Sequence, residues 1–376
     1  MKGNFERIFK LNSIIPRNKF NISQIYLRNI HSNAKCSKVN DIKNLNREKI
    51  KLEEFIVDSS LNKKDDNFCS PTQTLEKPKQ KVSMIKDLKE ITKFKLSILN
   101  TIVSLSTFTL IGNPTIMQTL FFGLGTMSIS MTTQVLNQIK EKFFDSQMMR
   151  THTRPLPKER FSIKQAAGIA AFLELSSLAF FSVLPFGTQA MIFSNFILFL
   201  YISVYTPLKR KNNLSMHVGA VVGALPPLLG SIAGGNPFSP EALLLAGFIF
   251  AWQYPHFYGI LYPNRYDYQK AGFKFIAVDE SKDSIAHKQM ILGMIGMALI
   301  VYILYKRKII SNLGLFAFLA TFAYQIPAVM NFQQNPLKYG KIIRIRSYIP
   351  FLIVLGCFFK LSGKAILENK NKDKSE

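Results

Sequence analysis

The sequence predicts an all-α, polytopic membrane protein, a bundle of about nine transmembrane helices behind a disordered N-terminal leader. From about residue 93 onward, apolar stretches of about 20 residues recur, and each is long enough to cross a hydrocarbon core of about 30 Å. Residues 1–88, by contrast, are polar and rich in Lys and Asn. The remaining Lys and Arg residues gather in alternate loops between the apolar stretches, as in a membrane protein with a fixed orientation.

The N-terminal leader divides into two parts by composition. Residues 1–40 contain many Lys and Arg residues, interspersed apolar residues and a single acid, Glu6, which is typical of a mitochondrial presequence. The alternative is a disordered basic tail. Residues 41–88 mix both charge signs and contain few aromatic residues, which predicts a disordered polar linker. The transmembrane domain is predicted over 89–365, and a polar C-terminal tail over 366–376.

Backbone groups in lipid have no water to bind, so the apolar stretches must be helical. Four loops on one side carry most of the basic residues between the spans, whereas the opposite loops are short and mostly uncharged. The positive-inside rule therefore places the basic side and the N-terminus in the matrix of the mitochondrial inner membrane. The predicted spans are 94–112, 116–136, 163–184, 189–206, 214–233, 241–261, 289–305, 309–330 and 347–363, and the basic loops are 137–162, 207–213, 262–288 and 331–346.

Composition excludes two other classes of protein. The formal net charge is +25, but the basic residues lie in the leader and in short loops, so they do not form a nucleic-acid-binding face. The three cysteines, Cys36, Cys69 and Cys357, have no metal-like spacing and predict neither a zinc site nor a disulfide framework.

The first basic loop begins with a stripe of oxygen-bearing side chains. Asn137, Glu141 and Asp145 recur every four residues, so on a helix they share one face over about 12 Å. Hard oxygen ligands suit Mg²⁺, which completes its coordination with water and phosphate oxygens. The alternative is a solvated helix face on which the acids pair with Lys140 and Lys142.

Basic side chains that suit a phosphate group follow the stripe. Arg150 and Arg154 are four residues apart, and guanidinium groups bind phosphate oxygens bidentately. Farther along the chain, Asp267 could complete a second metal position and Arg265 could provide another phosphate contact. The alternative is that these arginines only set the membrane orientation.

The fifth predicted span contains an apolar segment with closely spaced small residues and prolines. Small residues allow helices to pack closely, and Pro226-Pro227 must break or kink the helix inside the membrane. Such a break persists only where a cavity or a neighbouring helix satisfies the freed carbonyl groups. The segment therefore favours a substrate cavity.

Several ordered motifs together resemble the protoheme IX farnesyltransferase (heme O synthase) family, in its mitochondrial form. This family belongs to the UbiA-type superfamily of intramembrane prenyltransferases. The resemblance extends over roughly residues 90–365. It rests on Leu136-Asn137-Gln138, Glu141, Phe144-Asp145-Ser146, Met148, Arg150-Thr151, Arg154-Pro155-Leu156, Tyr205-Thr206-Pro207-Leu208-Lys209-Arg210, the segment Gly219 to Gly230, Trp252-Gln253, Pro255-His256-Phe257, Asp267-Tyr268 and Ala271-Gly272.

The resemblance implies a UbiA-like bundle that transfers farnesyl from farnesyl diphosphate to a vinyl group of heme B, with Mg²⁺ as cofactor. Tyr266 stands where relatives often have an acid, which leaves open whether one or two Mg²⁺ ions bind. The implied catalytic and metal-binding residues are Asn137, Glu141, Asp145 and Asp267; the diphosphate-binding residues are Arg150, Arg154, Lys209, Arg210 and Arg265; and Trp252, His256 and Tyr268 are heme-side or positioning residues, although His256 can also be read as purely structural.

Two alternatives to this function remain open at the level of sequence. A 4-hydroxybenzoate polyprenyltransferase of quinone synthesis would share the acidic stripe, and a non-catalytic heme-handling or transport protein would share the many spans. The resemblance implies the two substrates and the lipid bilayer as partners and no nucleic acid. It also suggests heme A synthase or other cytochrome oxidase assembly proteins as partners, and it leaves homo-oligomer formation open.

Overall fold

A computed structural model of the chain describes residues 83–372, within the compact unit Gln80–Glu376. Within this range the regular structure is entirely helical, which confirms the predicted all-α fold. The predicted presequence, the linker up to residue 82 and the last residues of the C-terminal tail lie outside the described residues.

The helices follow one another with short connections. A π-helical segment, Leu200–Tyr205, joins α5 to α6, and short 3₁₀ turns occur at Tyr262–Asn264, Ile276–Val278, Glu280–Lys282 and Phe332–Gln334. The α-helices are α1 Met84–Ile91, α2 Phe94–Gly112, α3 Ile116–Asp145, α4 Ile163–Ser182, α5 Gly187–Phe199, α6 Thr206–Lys211, α7 Ser215–Gly223, α8 Pro226–Ala233, α9 Pro240–Leu261, α10 Arg265–Lys270, α11 Asp283–Lys306, α12 Asn312–Met330, α13 Pro336–Arg346 and α14 Tyr348–Lys372.

Among the described residues, seven helical segments are long and apolar enough to cross a membrane by length and composition. The predicted count of nine is therefore approximate. The two other predicted spans, 116–136 and 241–261, lie in α3 and α9, which are helical and long enough. Both helices carry buried Thr, Gln, Asn or His side chains, which lower their mean hydropathy. These polar helices also contribute residues to the site described below.

The fifth predicted span is broken between α7 and α8, as the Pro226-Pro227 pair predicts. Neighbouring helices satisfy backbone carbonyls on both sides of the break. The Gln253 amide donates to the Ala220 carbonyl at 2.8 Å, and the Thr107 hydroxyl donates to the Pro227 carbonyl at 2.7 Å. The break is therefore held by side chains of α9 and α2.

Helix α8 also lies unusually close to α2. A Cβ atom added at Gly230 would be 2.0 Å from the Ser104 carbonyl oxygen and 2.3 Å from the Thr107 hydroxyl. Only glycine permits this approach, because it has no side chain, and α8 therefore packs directly against the backbone of α2.

Helix α1 begins inside the segment assigned from composition to the disordered linker, so that assignment is wrong for residues 84–88. The helix is fixed to the bundle at two points. Arg160 Nε donates to both carboxylate oxygens of Asp87, at 3.0 and 2.9 Å. Gln138 Nε2 donates to the carbonyl oxygens of Glu90 and Ile91, at 3.0 and 2.7 Å. These contacts anchor α1 beside the end of α3.

Candidate active site

The predicted oxygen stripe lies at the C-terminal end of α3, where side chains of α6 contact it. Asn137 Nδ2 donates to Glu141 Oε2 at 2.9 Å, and Thr206 Oγ1 donates to Asn137 Oδ1 at 3.0 Å. Lys209 Nζ forms an ion pair with Glu141 Oε1 at 3.0 Å. All four side chains are buried, so this part of the stripe is held in one arrangement before any ligand arrives.

The end of the stripe forms a second buried ion pair. Arg154 Nη1 lies 2.7 Å from Asp145 Oδ2, and Asp145 is only 1% exposed. The Thr151 hydroxyl donates to the Asp145 carbonyl at 2.9 Å and holds the following loop against the helix end. The predicted acid and the predicted guanidinium group are therefore in direct contact.

The second acidic motif is close to the first basic loop. The Arg150 amide donates to Asp267 Oδ2 at 3.3 Å, and the Arg150 guanidinium donates to the Tyr268 hydroxyl at 3.0 Å. Asp267 and Tyr268 belong to α10, which follows α9. The structure thus brings both predicted acidic motifs to the same end of the bundle.

Two of the predicted diphosphate-binding residues, Arg210 and Arg265, contact side chains that do not belong to the oxygen stripe. The Arg210 guanidinium carbon lies 3.9 Å from the centre of the Phe144 ring. Arg265 Nη1 lies 3.8 Å from Asp283 Oδ2, and the side chain also lies near the Tyr266 ring. Arg265 therefore interacts with α11.

Lys93 is a residue of this site that the sequence reasoning missed. It precedes α2 with a left-handed backbone, φ 42°, and its half-buried side chain interacts with the charges of Glu141, Asp145, Arg154 and Lys209. The pKa of the Lys93 amine is lowered to about 7, mainly by burial of the amine and then by the positive charge of Arg154. One signal was present in the sequence: a cation at a helix N-terminus is unfavourable unless an anion compensates it.

Thr206, which bonds the Asn137 side chain, was quoted as part of a motif but was given no role. Its partner lies 69 positions earlier in the chain, so no local spacing indicates the contact.

A cavity of about 270 Å³ lies between α2, α3, the π-helical segment, α7, α9 and α14, with Pro226 of α8 in its wall. It adjoins the charged end through Tyr205, whose ring centre lies 4.3 Å from Lys209 Nζ. Trp252 and His256 are part of its wall, with their rings stacked at 4.4 Å between centroids. Both are fixed by Ser347: the indole donates to its carbonyl at 2.6 Å, and a 2.9 Å hydrogen bond joins His256 Nδ1 to its hydroxyl. The remaining wall is largely aromatic and aliphatic and includes Tyr201, Tyr205, Phe257, Tyr348 and Phe351.

Among the described residues, no three His, Cys, Asp or Glu side chains converge on a point where they could hold a metal ion by themselves. The carboxylates instead stand one by one beside cationic groups, at one end of an apolar cavity. This arrangement can bind an anionic head group through its cations, a cation that the ligand brings through its oxygens, and an apolar tail between the helices.

Curated proteins with known names are similar to this chain over about half of its length. It is 37% identical over 195 residues to the protoheme IX farnesyltransferase of Flavobacterium psychrophilum, covering 51% of this chain and 64% of that protein. It is 37% identical over 192 residues to the mitochondrial protoheme IX farnesyltransferase of Yarrowia lipolytica, covering 50% of this chain and 40% of that protein. The chain thus spans less than two thirds of the length of either relative.

Solved structures share the fold. A digeranylgeranylglyceryl phosphate synthase superimposes with a TM-score of 0.56 at 17% identity, covering 74% of this chain and 99% of that chain. A UbiA homologue from Archaeoglobus fulgidus, bound to GPP and Mg²⁺, superimposes with a TM-score of 0.50 at 13% identity, covering 74% of this chain and 99% of that chain. These identities establish similarity of fold alone.

The family match covers the polar helices and both acidic motifs. Residues 98–337 match the UbiA prenyltransferase family, a range that contains Asn137, Asp145, Arg154 and Asp267. This chain therefore belongs to the UbiA prenyltransferase family.

Proposed function

We propose that this chain transfers a farnesyl group from farnesyl diphosphate to a vinyl group of protoheme IX (heme B), which gives heme O and diphosphate. Heme O is the precursor of heme A, so the reaction would be a step of heme A biosynthesis for cytochrome c oxidase. The proposal places the enzyme in the mitochondrial inner membrane, with the charged end of the bundle facing the matrix. The name of the mitochondrial relative from Yarrowia lipolytica and the basic leader support a mitochondrial location.

One observation carries the proposal. At the charged end of the bundle, Glu141 is paired with Lys209 and Asp145 with Arg154, and Lys209 Nζ lies 4.3 Å from the centre of the Tyr205 ring, which lines the apolar cavity. Each pair offers a cation for phosphate oxygens and a carboxylate for a metal ion that accompanies the phosphate. A charged head and a long apolar tail, as in a prenyl diphosphate, match these two regions.

The oxygen donors present fit Mg²⁺ as the accompanying metal. Asn137, Glu141, Asp145 and Asp267 offer hard oxygen ligands, and Mg²⁺ usually takes only one or two carboxylates together with water and phosphate oxygens. The solved Archaeoglobus fulgidus homologue with GPP and Mg²⁺ supports the same assignment. When bound, the metal ion would neutralise diphosphate charge as a Lewis acid.

The basic residues around the stripe would stabilise the leaving group. Negative charge accumulates on diphosphate as the C1–O bond of the substrate breaks. Three cations lie at that end of the bundle, Arg150, Arg154 and Lys209. Lys93, with a pKa of about 7, adds a fourth when its amine is protonated. Arg210 lies over Phe144 and Arg265 beside Asp283, so a direct phosphate contact by either requires its side chain to move.

The vinyl carbon of the porphyrin would then attack the farnesyl cation inside the cavity, and water would add to the resulting cation. A dry apolar wall protects the first cation from premature hydrolysis. Trp252 and His256 line this cavity, which supports their assignment as heme-side residues, and the Trp252 ring is held by stacking against His256 and Phe351. Tyr268, bonded to Arg150, would position that guanidinium.

The test uses the purified full chain with farnesyl diphosphate, Mg²⁺ and heme B, followed by mass analysis of the extracted heme. We expect a species heavier than heme B by one farnesyl group and one hydroxyl, formed with an equal amount of diphosphate. A parallel reaction offers 4-hydroxybenzoate instead. Prenylated 4-hydroxybenzoate with unchanged heme would favour the quinone-pathway enzyme, and unchanged acceptors in both reactions would contradict the proposal.

A further inference from the structure

A second, smaller cavity lies deeper in the bundle, along the same face of α3 as the oxygen stripe. Its volume is about 80 Å³. Its wall is unusually polar for a cavity between apolar helices. The polar lining residues are Asn100 and Ser104 of α2, Thr126, Ser130, Thr133 and Gln134 of α3, Ser194 of α5 and Tyr201 of the π-helical segment.

The polar lining continues the stripe of the active site. Thr126, Ser130 and Gln134 follow one another at intervals of four residues, and Asn137 comes three residues after Gln134. These spacings keep the side chains on one face of the helix, over about 16 Å from Thr126 to Asn137. The polar wall of this cavity and the oxygen stripe therefore lie along the same face of α3.

Two oxygen atoms in this cavity have no partner among the described residues. They are Thr126 Oγ1 and the side-chain oxygen Oε1 of Gln134. Both residues are buried, at 3% and 2% exposure. Buried polar atoms are nearly always hydrogen-bonded, to protein or to ordered water, so these two atoms indicate a ligand with hydrogen-bonding groups.

Other polar groups of the wall already form hydrogen bonds with the protein. Thr133, Ser104 and Ser194 donate to carbonyl oxygens of their own helices, and Asn100 Nδ2 donates to Ser130 Oγ at 3.2 Å. The oxygens of Thr133, Ser104 and Ser194 keep free acceptor capacity, because each of these hydroxyls uses its single proton in the bond that it donates, and the Ser130 hydroxyl accepts from Asn100. A small molecule in the cavity would therefore meet acceptors on several sides.

The size and chemistry of the cavity match water and not a hydrocarbon chain. One water molecule needs about 10–15 Å³ measured in the same way, so the cavity accommodates several. A farnesyl tail in this position would leave Thr126 Oγ1 and Gln134 Oε1 unpaired against methylene groups, which is unfavourable.

The deep cavity meets the larger cavity at a shared wall. Asn100, Gln134, Tyr201, Gly223 and Pro226 line both. Three of these shared residues, Asn100, Gln134 and Tyr201, are polar, and Gln134 is the one whose side-chain oxygen has no partner among the described residues. A neutral amide is suitable for this position, because a carboxylate would itself be alkylated by a carbocation.

We infer that the deep polar cavity is a water site, and that Gln134 and Thr126 hold the water molecule that adds to the product-forming cation. This inference rests on the proposed function and specifies how its last step is controlled. Transfer of farnesyl to the vinyl group leaves a cation on the carbon next to the porphyrin ring. The oxygen of the held water forms a bond to that carbon, and the released proton passes to the diphosphate set free earlier in the reaction, so atoms and charge balance.

Without a held water molecule, the same cation would lose a proton from the neighbouring carbon and give an alkene. The alkene is lighter than the hydroxylated product by one water molecule, so mass analysis separates the two. We expect Gln134→Leu to lower the ratio of hydroxylated to alkene product about tenfold, the effect of losing one good hydrogen bond. Thr126→Val, which preserves side-chain shape, should shift the ratio in the same direction.

Two control variants remove matched groups elsewhere. Gln325→Leu removes another fully buried glutamine, and Thr101→Val removes a buried hydroxyl that donates to the Ser97 carbonyl; neither residue lines either cavity. Both controls should retain the wild-type product ratio. Gln134→Asn, which keeps the amide, should recover part of the hydroxylated product.

The reactions are run with farnesyl diphosphate, Mg²⁺ and heme B in ¹⁸O-labelled water, so that the label reports water addition directly. A lower ratio in Gln134→Leu and Thr126→Val, with unchanged controls, supports the water site. An unchanged ratio in both variants, or a slower reaction with an unchanged ratio, overturns it. If the wild-type chain forms no farnesylated heme at all, the proposed function itself fails, which this series shows separately.

Discussion

At the scale of single residues, the ion pair of Asp145 and Arg154 provides the most direct test of the proposed chemistry. The carboxylate is buried and 2.7 Å from the guanidinium, so removing it changes both the metal ligand and the phosphate-binding arginine. We expect Asp145→Ala to lower turnover by about 10²–10³-fold or more, because a preorganised electrostatic group is lost. Turnover is measured as heme product formed per minute by protein purified from membranes.

The control for this prediction is Glu159→Ala. Glu159 is also an acid paired with a base in the same loop region, 3.2 Å from Lys142, but its side chain is 79% exposed. An exposed pair of this kind contributes little to stability, and it lies outside the stripe. Glu159→Ala should keep near-wild-type turnover. If the Asp145→Ala protein is folded and membrane-inserted and its turnover is within a few-fold of wild type, the assigned stripe is not the active site.

Lys93 supports a prediction about pH. Its pKa is about 7, because the amine is buried and near Arg154, whereas a bound diphosphate would favour the protonated form. Above pH 7 the free enzyme must take up a proton to bind the anion, so affinity for farnesyl diphosphate should fall by up to about tenfold per pH unit from this group. Below pH 7 the amine is already charged and this contribution levels off.

The matched variant for Lys93 is Lys93→Arg, because a guanidinium stays protonated over this range. Its Kd for farnesyl diphosphate should depend less on pH between 6 and 9 than that of the wild type, with ionisation of the substrate common to both. Identical pH dependence of the two Kd values would mean that Lys93 does not contact the diphosphate.

Sequence alone located part of this site. The interval of four residues identified Asn137, Glu141 and Asp145 as one face, and the described contacts bring Arg154 and Lys209 to that face. Lys93 and Thr206 were not assigned, because they reach the stripe from distant parts of the chain. Arg265 was grouped with the phosphate ligands from its position two residues before Asp267, and its contact with Asp283 could not be predicted because the two residues are 18 positions apart in the chain.

At the scale of helices, the close approach of α8 to α2 sets the shape of the cavities. Gly230→Ala would put a methyl group 2.0 Å from the Ser104 carbonyl, so α8 must move away from α2. We expect the free energy of unfolding to fall by about 1–3 kcal/mol, the usual cost of overpacking. The measurement is the Tm of the protein in detergent micelles.

Gly168 offers a matched control for this substitution. It lies within α4, and an added Cβ would meet no atom within 4 Å. Alanine is favoured over glycine inside a helix by about 0.5–1 kcal/mol, so Gly168→Ala should keep or raise the Tm. Equal Tm values for Gly230→Ala and Gly168→Ala would show that α8 has room to shift without loss of packing.

Helices were predictable to different degrees, for physical reasons. Hydropathy located all the long apolar helices, since burial in lipid needs a continuous apolar stretch. It did not locate α1, because an amphipathic helix of eight residues has no such stretch and its apolar positions are separated by Lys, Asp and Glu. The π-helical segment Leu200–Tyr205 was also missed, since widening one helical turn leaves hydropathy unchanged.

At the scale of the whole molecule, the basic loops that predict the membrane orientation also carry residues of the candidate active site. The loop between α3 and α4 contains Arg150 and Arg154, and α6 contains Lys209, so residues that count as orientation signals also belong to the site. The ion pairs of Arg154 with Asp145 and of Lys209 with Glu141 indicate that charge at this end serves ligand binding as well as topology. The sequence could not separate these two roles, because both require basic loops on one side.

The orientation itself can be tested with two exposed positions at opposite ends of the bundle. Lys158 lies in the basic loop between α3 and α4, and Phe238, 80% exposed, lies in the short loop between α8 and α9. Each is replaced by cysteine in a background without Cys36, Cys69 and Cys357. In mitoplasts with an intact inner membrane, a membrane-impermeant maleimide should label Phe238→Cys at once and Lys158→Cys only after permeabilisation, because the basic side faces the matrix.

The reverse pattern would place the charged end, and with it the diphosphate site, on the opposite side, where a matrix supply of substrate could not reach it. Equal labelling of both positions would mean that these loops do not lie on opposite sides of a membrane.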